Sequence, residues 1–387
     1  MTTFRYLTAG ESHGRELTAI IEGCPAGLAL DAAAIDADLA RRQLGYGRGA
    51  RQQIERDRVT IRSGVRYGRT TGAPVALAVA NRDAPTWSDT MAVEATTTPA
   101  DPVRVPRPGH ADLPGAQLYG ADDLRDVIER ASARETAARV ACGAVARQLL
   151  AALGCQVRSH VVAVGDATAT VATPSTGAAF AEVDADPLRC LDGGASAAMR
   201  AEIAAAEQAG DTLGGVFEVV AYGFPPGVGS YAQGDRRLGA RLAAALFAIP
   251  AIKGVEVGLG FAAAGLPGSQ VHDEIVWSDD EGYGRASNRA GGVEGGISTG
   301  LPIVVRAAMK PIATLMSPLH SVRLGTHEVV DAHVERSDVC AVPAAAVVGE
   351  AAVALCLVTA VLERFGGETT AELAAAVATF RAGLRRL

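Results

Sequence analysis

The chain has 387 residues, of which 49% are hydrophobic and 20% are charged, so it can bury a substantial core as one large domain or two ordinary ones. Its formal net charge of −7 argues against a general nucleic-acid binder. Lys253 and Lys310 are the only lysines among the 36 basic residues. A single arginine therefore carries little information, and only a cluster of arginines can indicate a ligand.

The six cysteines are scattered and form no Cys-x-x-Cys pair, which argues against a metal centre or a dithiol redox motif. Their apolar surroundings predict buried free thiols in a reducing compartment. The N-terminus lacks the apolar segment of a signal peptide, and the longest apolar run, residues 342–362, is interrupted by Glu350. We therefore expect a buried helix rather than a membrane span, and a cytoplasmic protein without a membrane partner.

In the first part of the chain, strands are predicted at residues 4–9, 59–63 and 75–79. The first strand runs into a loop in which Gly10 and Gly14 frame His13, so the imidazole could approach a ligand or could serve only the loop's own hydrogen bonds. A helix is predicted from Asp31, as its N-cap, to about Leu44. The loop that follows, within residues 41–51, has four arginines around three glycines and no apolar anchor. It could close over an anion or be a solvated basic loop.

Residues 81–121 show little periodicity and are rich in Pro, Asp and Gly, and a loop of this length is usually functional. It carries Arg107-Pro-Gly-His110-Ala-Asp112. Residues 130–136, Arg-Ala-Ser-Ala-Arg-Glu-Thr, then open a helix predicted over residues 132–153. Small residues, a hydroxyl and two arginines at a helix start favour an anionic, phosphorylated ligand, because free N–H groups and the helix dipole attract negative charge. The alternative is a helix with solvated arginines.

In the remaining chain, strands are predicted at residues 156–164, 214–223 and 302–309, and helices at residues 196–209, 237–247, 344–365 and 369–386. The glycine-rich residues 287–300 lack a Gly-x-Gly-x-x-Gly pattern between strand and helix, so a dinucleotide-binding fold is not supported. Lys310 ends a strand and precedes a proline. Arg336 and Asp338 precede the last helices and could be a surface ion pair. The pattern indicates mixed α and β structure, without a repeat or a linker, and thus one domain over residues 1–387.

Together these motifs resemble those of the chorismate synthase family. They occur in the family's order between residues 9 and 343 as Ala9-Gly-Glu-Ser-His13-Gly, the arginine-rich loop within residues 41–51, Arg107-Pro-Gly-His110-Ala-Asp, Arg130-Ala-Ser-Ala-Arg-Glu-Thr136, Ala251-Ile-Lys-Gly-Val-Glu256, Gly291-Gly-Val-Glu-Gly-Gly296, Lys310-Pro and Arg336-Ser-Asp338-Val-Cys340. Each motif alone is weak, but the ordered set is highly specific. Two departures affect single contacts: Ile312-Ala313 replaces the commoner Thr-Ser, and Pro250 stands where the family often has a polar residue.

The resemblance implies an α+β fold with a helical core between two antiparallel β-sheets, in a homotetramer. It implies a lyase of the shikimate pathway of aromatic amino-acid biosynthesis, which converts 5-enolpyruvylshikimate 3-phosphate to chorismate by anti-1,4-elimination of phosphate and a ring proton. It also implies reduced FMN as cofactor, without net redox change. Since no nucleotide-binding domain is recognisable, an external flavin reductant is expected rather than the chain's own use of NAD(P)H.

By the same resemblance, His13 is expected to protonate the leaving phosphate, His110 to set the protonation state of the flavin, and Asp338 to assist proton removal. The expected FMN-binding residues are Arg130, Ala131, Ser132, Pro250, Ala251, Gly295, Lys310, Pro311, Ile312, Ala313, Thr314 and Arg336. The expected substrate-binding residues are Arg42, Arg48, Arg107 and Arg134, of which the first two are also at positions linked to NADPH.

Two other functions compete with this interpretation. The first is a different FMN enzyme that acts on another phosphorylated acid and gives another product. The second is a non-catalytic module that binds polyanions through its arginine clusters. Such a module would bind phosphate esters broadly and would not need His13, His110 or Asp338.

Overall fold

This computed structural model describes residues 4–49, 55–279, 282–335 and 337–384. Within these residues there are seventeen short strands and nine α-helices. The strands are β1 Arg5–Ala9, β2 Glu16–Glu22, β3 Val59–Ile61, β4 Val65–Arg66, β5 Arg69–Thr70, β6 Val75–Ala80, β7 Gln156–Val164, β8 Ala167–Thr168, β9 Gly215–Tyr222, β10 Ile252–Val257, β11 Ile275–Ser278, β12 Gly282–Arg285, β13 Val293–Glu294, β14 Ile297–Ser298, β15 Ile303–Met309, β16 His320–Val322 and β17 Val329–Asp331. The helices are α1 Ala32–Gln43, α2 Asp112–Tyr119, α3 Arg125–Ala131, α4 Thr136–Ala152, α5 Gly193–Ala209, α6 Leu238–Phe247, α7 Gly268–Val271, α8 Val342–Phe365 and α9 Thr370–Leu384.

Two antiparallel sheets form the outer layers. The first has the strand order β1-β2-β6-β3, and the second has the order β10-β15-β9-β7-β8. Along β6, Val75, Leu77 and Val79 are buried at every second position, as expected for a strand with one face against a core. The other strand pairs are short hairpins, β4-β5, β11-β12, β13-β14 and β16-β17.

A helical layer fills the space between the two sheets. Helix α4 packs against β2 and β6 of the first sheet, α8 packs against β7 and β9 of the second, and the two helices pack on each other. They approach closely because Gly143 of α4 lies opposite Ala351 of α8, and a Cβ added to Gly143 would lie 2.3 Å from the Ala351 Cβ. One apolar cluster runs through both sheets and these helices. The predicted α+β fold with a helical core between two antiparallel sheets is therefore confirmed.

Helix α8 is, among the described residues, long and apolar enough to cross a membrane, but 89% of its most apolar stretch is buried inside the protein. Its Glu350 carboxylate accepts two hydrogen bonds of 2.8 Å from Arg41 and one of 2.7 Å from the Ser159 hydroxyl. Burial alone would raise the pKa of Glu350, but the charges of Arg41, Arg147 and Arg189 outweigh it and hold this pKa far below its ordinary value. The prediction of a buried core helix is confirmed.

Most other predicted elements are confirmed, with small differences at their ends, but two segments differ. The long helix predicted from Ser132 is wrong at its start, because α3 ends at Ala131, a 3-10 turn spans Ala133–Glu135, and α4 begins at Thr136. Ser132 has an extended backbone and its hydroxyl accepts a hydrogen bond from Arg134 N, so it separates the two helices. Within residues 81–121, the expected loop also contains a 3-10 turn at Ala84–Trp87 and helix α2.

Candidate active site

A cavity of about 680 Å³ lies at the end of the helical layer, within the size range of about 300–1,000 Å³ that is usual for small-molecule sites. Its walls come from loops far apart in sequence, including the His13 loop, the α3–α4 junction and the segment that precedes α8. The predicted site residues that line it are His13, Arg42, Arg48, Arg107, His110, Ala131, Ser132, Arg134, Pro250, Ala251, Lys310, Ile312, Ala313, Thr314 and Asp338.

Arg130, Pro311 and Gly295 are not among the described residues of this lining. Arg130 instead donates hydrogen bonds to the carbonyl oxygens of Thr8 (2.9 Å) and Gly10 (3.0 Å), so its side chain holds the end of β1. Pro311 also lies outside the lining, and Gly295 sits in the turn between β13 and β14, where an added Cβ would meet no atom within 4 Å. Arg336 lies outside the described residues.

The His13 imidazole is held by a buried carboxylate. His13 Nδ1 lies 2.8 Å from Glu129 Oε1, and the His13 backbone N–H donates to Glu129 Oε2, also at 2.8 Å. Glu129 has a fully buried side chain. Burial would raise its pKa, but the hydrogen bonds from His13 and the nearby charge of Arg125 more than compensate, and its pKa is lowered. The ring of Trp87 stacks on the imidazole, with centroids 4.0 Å apart.

His110 is held in a similar way by Asp112, in the first turn of α2. The Asp112 carboxylate is fully buried, contacts His110 Nδ1, and accepts hydrogen bonds from Arg107 Nε (2.8 Å) and Arg107 N (3.0 Å). Burial opposes ionisation, yet the bonds from His110 and Arg107 hold the Asp112 pKa well below its ordinary range. Arg107 also donates to the Thr314 hydroxyl at 3.1 Å. The Pro-Gly segment thus fixes an arginine and a histidine around one carboxylate.

Arg42 and Arg134 form a cationic wall whose donors are largely used inside the protein. Arg134 donates to both oxygens of Asp57 (2.7 and 2.8 Å) and to Asn81 (2.8 Å). Arg42 donates to the Thr136 hydroxyl at 2.9 Å. Burial lowers the pKa of Arg42 to about 10, with Asp57 opposing the shift, so this guanidinium remains charged near neutral pH. These arginines are therefore fixed in place before any ligand arrives.

Two other cations have donors to spare. Arg48 Nη1 lies 2.8 Å from Asp338 Oδ2, but its buried Nε has no hydrogen-bond partner among the described residues. Lys310 Nζ contacts only its neighbour's carbonyl, Pro311 O, at 3.3 Å within the described part of the chain. Burial lowers the pKa of Lys310, and the charge of Lys253 adds to this effect. An ammonium beside a cavity, with no carboxylate partner among the described residues, favours an anionic ligand.

The surroundings of Asp338 and of the arginine-rich loop within residues 41–51 differ from the simplest interpretation of the sequence. The Asp338 side chain is only 16% exposed and lines the cavity, so it is not a surface carboxylate, while Arg336, its partner in the alternative interpretation, lies outside the described residues. Asp338 also accepts a hydrogen bond from Gly49 N at 2.6 Å, while Gly47 O accepts one from Val339 N at 2.8 Å. The arginine-rich loop, which the sequence predicts to lack an apolar anchor, is thus held by hydrogen bonds at its described residues, which end at Gly49.

Several residues that line the cavity were not predicted from the sequence. Arg125 bridges Glu129 (3.3 Å) and Glu335 (2.8 Å), and Glu335 in turn contacts His333 Nε2 at 3.1 Å. Trp87 lies in an otherwise irregular segment, so nothing in its neighbours indicated a site. Glu129 holds His13 from behind the lining, and its place immediately before the Arg130 motif is the one signal for it in the sequence.

A cavity with a fixed arginine wall, a lysine without a carboxylate partner among the described residues and two histidines paired with buried carboxylates is typical of an enzyme that acts on a small, multiply anionic molecule. The sequence model of the family described as chorismate synthase matches residues 4–362. A chorismate synthase of Bacillus cytotoxicus is 55% identical over 370 residues, covering 94% of this chain and 95% of its own. One from Symbiobacterium thermophilum is 55% identical over 393 residues, covering 99% of both chains.

A solved structure titled as the crystal structure of chorismate synthase is also similar, with a TM-score of 0.80 and 40% identity over 100% of this chain and 99% of that one. The similarity thus extends over the sequence, the fold and nearly the whole length. The chain belongs to the chorismate synthase family and is a lyase.

Proposed function

We propose that this chain converts 5-enolpyruvylshikimate 3-phosphate to chorismate, by loss of phosphate and a ring proton, with reduced FMN bound beside the substrate. The observation that carries the proposal is the convergence of His13, His110 and Asp338 on one cavity that also has unmatched cationic donors. Family membership supports the reaction class.

The proposed substrate fits the charge of the cavity. It has two carboxylates and a phosphate, and guanidinium groups bind such oxyanions with fixed orientation. Lys310 has no carboxylate partner among the described residues, and Arg48 lines the cavity beside Asp338, so we assign both side chains to direct contact with an anionic group. The side chains of Arg42, Arg107 and Arg134 are held in place at the cavity wall, because most of their donors bind Asp57, Asp112 and neighbouring oxygens.

The residues present also fit a flavin nucleotide. Gly109 has a φ of +77°, and a Cβ there would lie 3.6 Å from Lys310 Nζ, so glycine keeps the surface beside this unmatched ammonium open. Ala131, Ser132, Ala251, Lys310 and residues 312–314 would hold the cofactor, since they share the wall of one cavity. When bound, reduced FMN supplies electron density that promotes departure of the phosphate.

The chain's own residues then have distinct roles. His13 gives a proton to the leaving phosphate, and Asp338 assists removal of the ring proton. His110, fixed by Asp112, keeps a proton close to the cofactor position. General acids and bases placed in this way typically contribute about 10²–10⁴-fold each.

We further propose a cytoplasmic homotetramer that receives reduced flavin from an external reductant. Exposed apolar side chains on and near the β11–β12 hairpin support contact between subunits, since Phe261 is 82% exposed and Ile275 69% exposed. Trp277 and Tyr283 are exposed on the same hairpin.

An anaerobic assay of phosphate release, with and without reduced FMN, tests the proposal. We expect turnover only with reduced FMN, and a much larger loss of turnover than of substrate binding for His13→Ala and for His110→Ala. Steady turnover in air with oxidised FMN and no reductant would contradict the cofactor role. Broad binding of phosphate esters without phosphate release would instead support a polyanion-binding module.

A further inference from the structure

We infer that Glu129 positions His13. Its carboxylate selects which ring nitrogen of His13 carries the proton and stabilises the imidazolium form. The inference rests on the proposed function only for the role of His13 as an acid. The pairing itself is a feature of the chain: two hydrogen bonds, both of 2.8 Å, join residues that are 116 positions apart.

The two hydrogen bonds fix the tautomer. A backbone N–H can only donate, so Glu129 Oε2 is committed to His13 N. This leaves Oε1 facing Nδ1, and an ionised carboxylate can only accept, so Nδ1 carries a hydrogen. Proton transfer to the phosphate must then use Nε2: the Nε2–H bond breaks, its electron pair stays on the ring, and the neutral Nδ1–H imidazole remains.

Two charges of opposite sign lie beside the imidazole, the Glu129 carboxylate in contact with Nδ1 and the Arg125 guanidinium behind it, 3.3 Å from Glu129 Oε1. A carboxylate in contact with an imidazole stabilises the cation, whereas a neighbouring guanidinium destabilises it. The charged and titratable groups on the elements around His13 are Glu11 and Arg15 in its own loop, Asp83 in the turn that carries Trp87, Arg125, Asp126, Glu129 and Arg130 on α3, and His333 and Glu335 on the facing wall.

Trp87 offers a direct optical readout of this pair. Its ring stacks on the His13 imidazole at 4.0 Å, and the chain has only one other tryptophan, Trp277. In a Trp277→Phe background, the fluorescence of FMN-free protein reports Trp87 alone. Since an imidazolium quenches a stacked indole, a pH titration of this fluorescence follows the protonation of His13. The fluorescence transition is assigned to His13 if it is lost in His13→Gln and retained in His333→Gln.

Glu129→Gln removes the negative charge at nearly constant shape. We expect the midpoint of the fluorescence transition to move to lower pH by about one unit or more. Glu129→Asp should restore much of the shift. Arg125→Gln, which removes the opposing cation, should move the midpoint to higher pH; because Arg125 also lies over the Trp87 ring at 5.2 Å, the midpoint and not the intensity is compared. If Glu129→Gln does not fold, Glu129→Asp keeps the test decisive, because its shorter side chain should move the midpoint to lower pH by a smaller amount. A merely structural pair would not give shifts of opposite sign.

Glu218→Gln is the matched control. Glu218 Oε1 lies 3.0 Å from His160 Nε2, both residues are buried, and neither lines the cavity. This variant should leave the Trp87 transition where it is in the parent. An unchanged midpoint in Glu129→Gln, or an equal shift in Glu218→Gln, overturns the inference.

Catalysis gives a second readout. In Glu129→Gln, kcat should fall about tenfold or more with KM changed far less, and the loss of activity on the alkaline side should begin at lower pH. A parent protein that releases no phosphate would refute the proposed function, while the fluorescence titration would still decide the role of Glu129.

Discussion

Asp338 Oδ2 lies 2.8 Å from Arg48 Nη1, and this ion pair lines the cavity. The other carboxylate oxygen accepts a hydrogen bond from Gly49 N at 2.6 Å. One side chain thus presents a carboxylate to the cavity and also ties down the loop that carries Arg48. The position of Arg48 therefore depends on the residue proposed to assist proton removal.

Asp338→Asn is expected to lower turnover by about 10²-fold or more, because the base is lost while Gly49 can still donate to the amide oxygen. FMN and substrate should still bind, since Lys310 and the arginine wall are unchanged. Anaerobic phosphate release and FMN titration measure both effects. Deuterium at the abstracted ring position should slow the variant more than the parent.

The matched control is Asp331→Asn, in which an exposed carboxylate beside His320 is removed and turnover should stay at the parent level. Parent-like turnover of Asp338→Asn, or failure of that variant to bind FMN, would exclude the catalytic assignment.

Glu350→Gln is expected to lower the free energy of unfolding by about 3–5 kcal/mol, because Arg41, Arg147 and Arg189 would lose a fully buried counter-ion. Urea denaturation measures the change. Glu363→Gln, which breaks an ion pair with Arg241 at the surface, should cost less than about 1 kcal/mol. Equal effects of the two variants would contradict the energetic role of burial.

The acid sensitivity of folding should depend on the same carboxylate. The pKa of Glu350 in the folded chain is far below its ordinary value of 4.5. Ionised Glu350 therefore stabilises the fold fully above about pH 4.5, and this stabilisation is lost progressively as the pH falls below 4.5. Unfolding free energies measured from neutral pH to about pH 3 should fall less steeply in Glu350→Gln than in the parent. Parallel curves of unfolding free energy against pH for the two proteins would exclude this contribution of Glu350.

Gly143→Val is expected to destabilise the protein by about 1–3 kcal/mol or more, because any Cβ at this position collides with Ala351 of the neighbouring helix. Gly383→Ala is the control: its added Cβ, in α9, would meet no atom within 4 Å, so the better helix former should be neutral or slightly stabilising. Thermal unfolding distinguishes the two, and similar melting temperatures would be evidence against close α4–α8 packing.

Cys24 and Cys142 should resist alkylation in the native protein. Burial raises the pKa of each thiol to about 12, and the thiolate is the reactive form. Iodoacetamide at mildly alkaline pH should leave both unmodified until denaturant is added, as mass spectrometry of peptides can show. Rapid labelling of Cys142 without denaturant would contradict its burial.

The sequence alone located most of the regular elements and the family. Apolar periodicity and local caps depend on neighbouring residues, so the Asp31 cap of α1 could be predicted, and Asp31 Oδ1 indeed accepts a hydrogen bond from Ala33 N. The ordered motifs likewise assigned the chain to its family, because their order along the chain is itself a sequence property.

Only the tertiary structure decided how the charged groups are used. The sequence placed Arg130 and Arg134 in one motif and predicted that both bind ligands, but Arg130 binds the end of β1 whereas Arg134 binds Asp57. It also gave no reason to place Trp87 on His13. Ion pairing and stacking depend on distance in space, and these partners come from segments that the sheets and helices bring together from far along the chain.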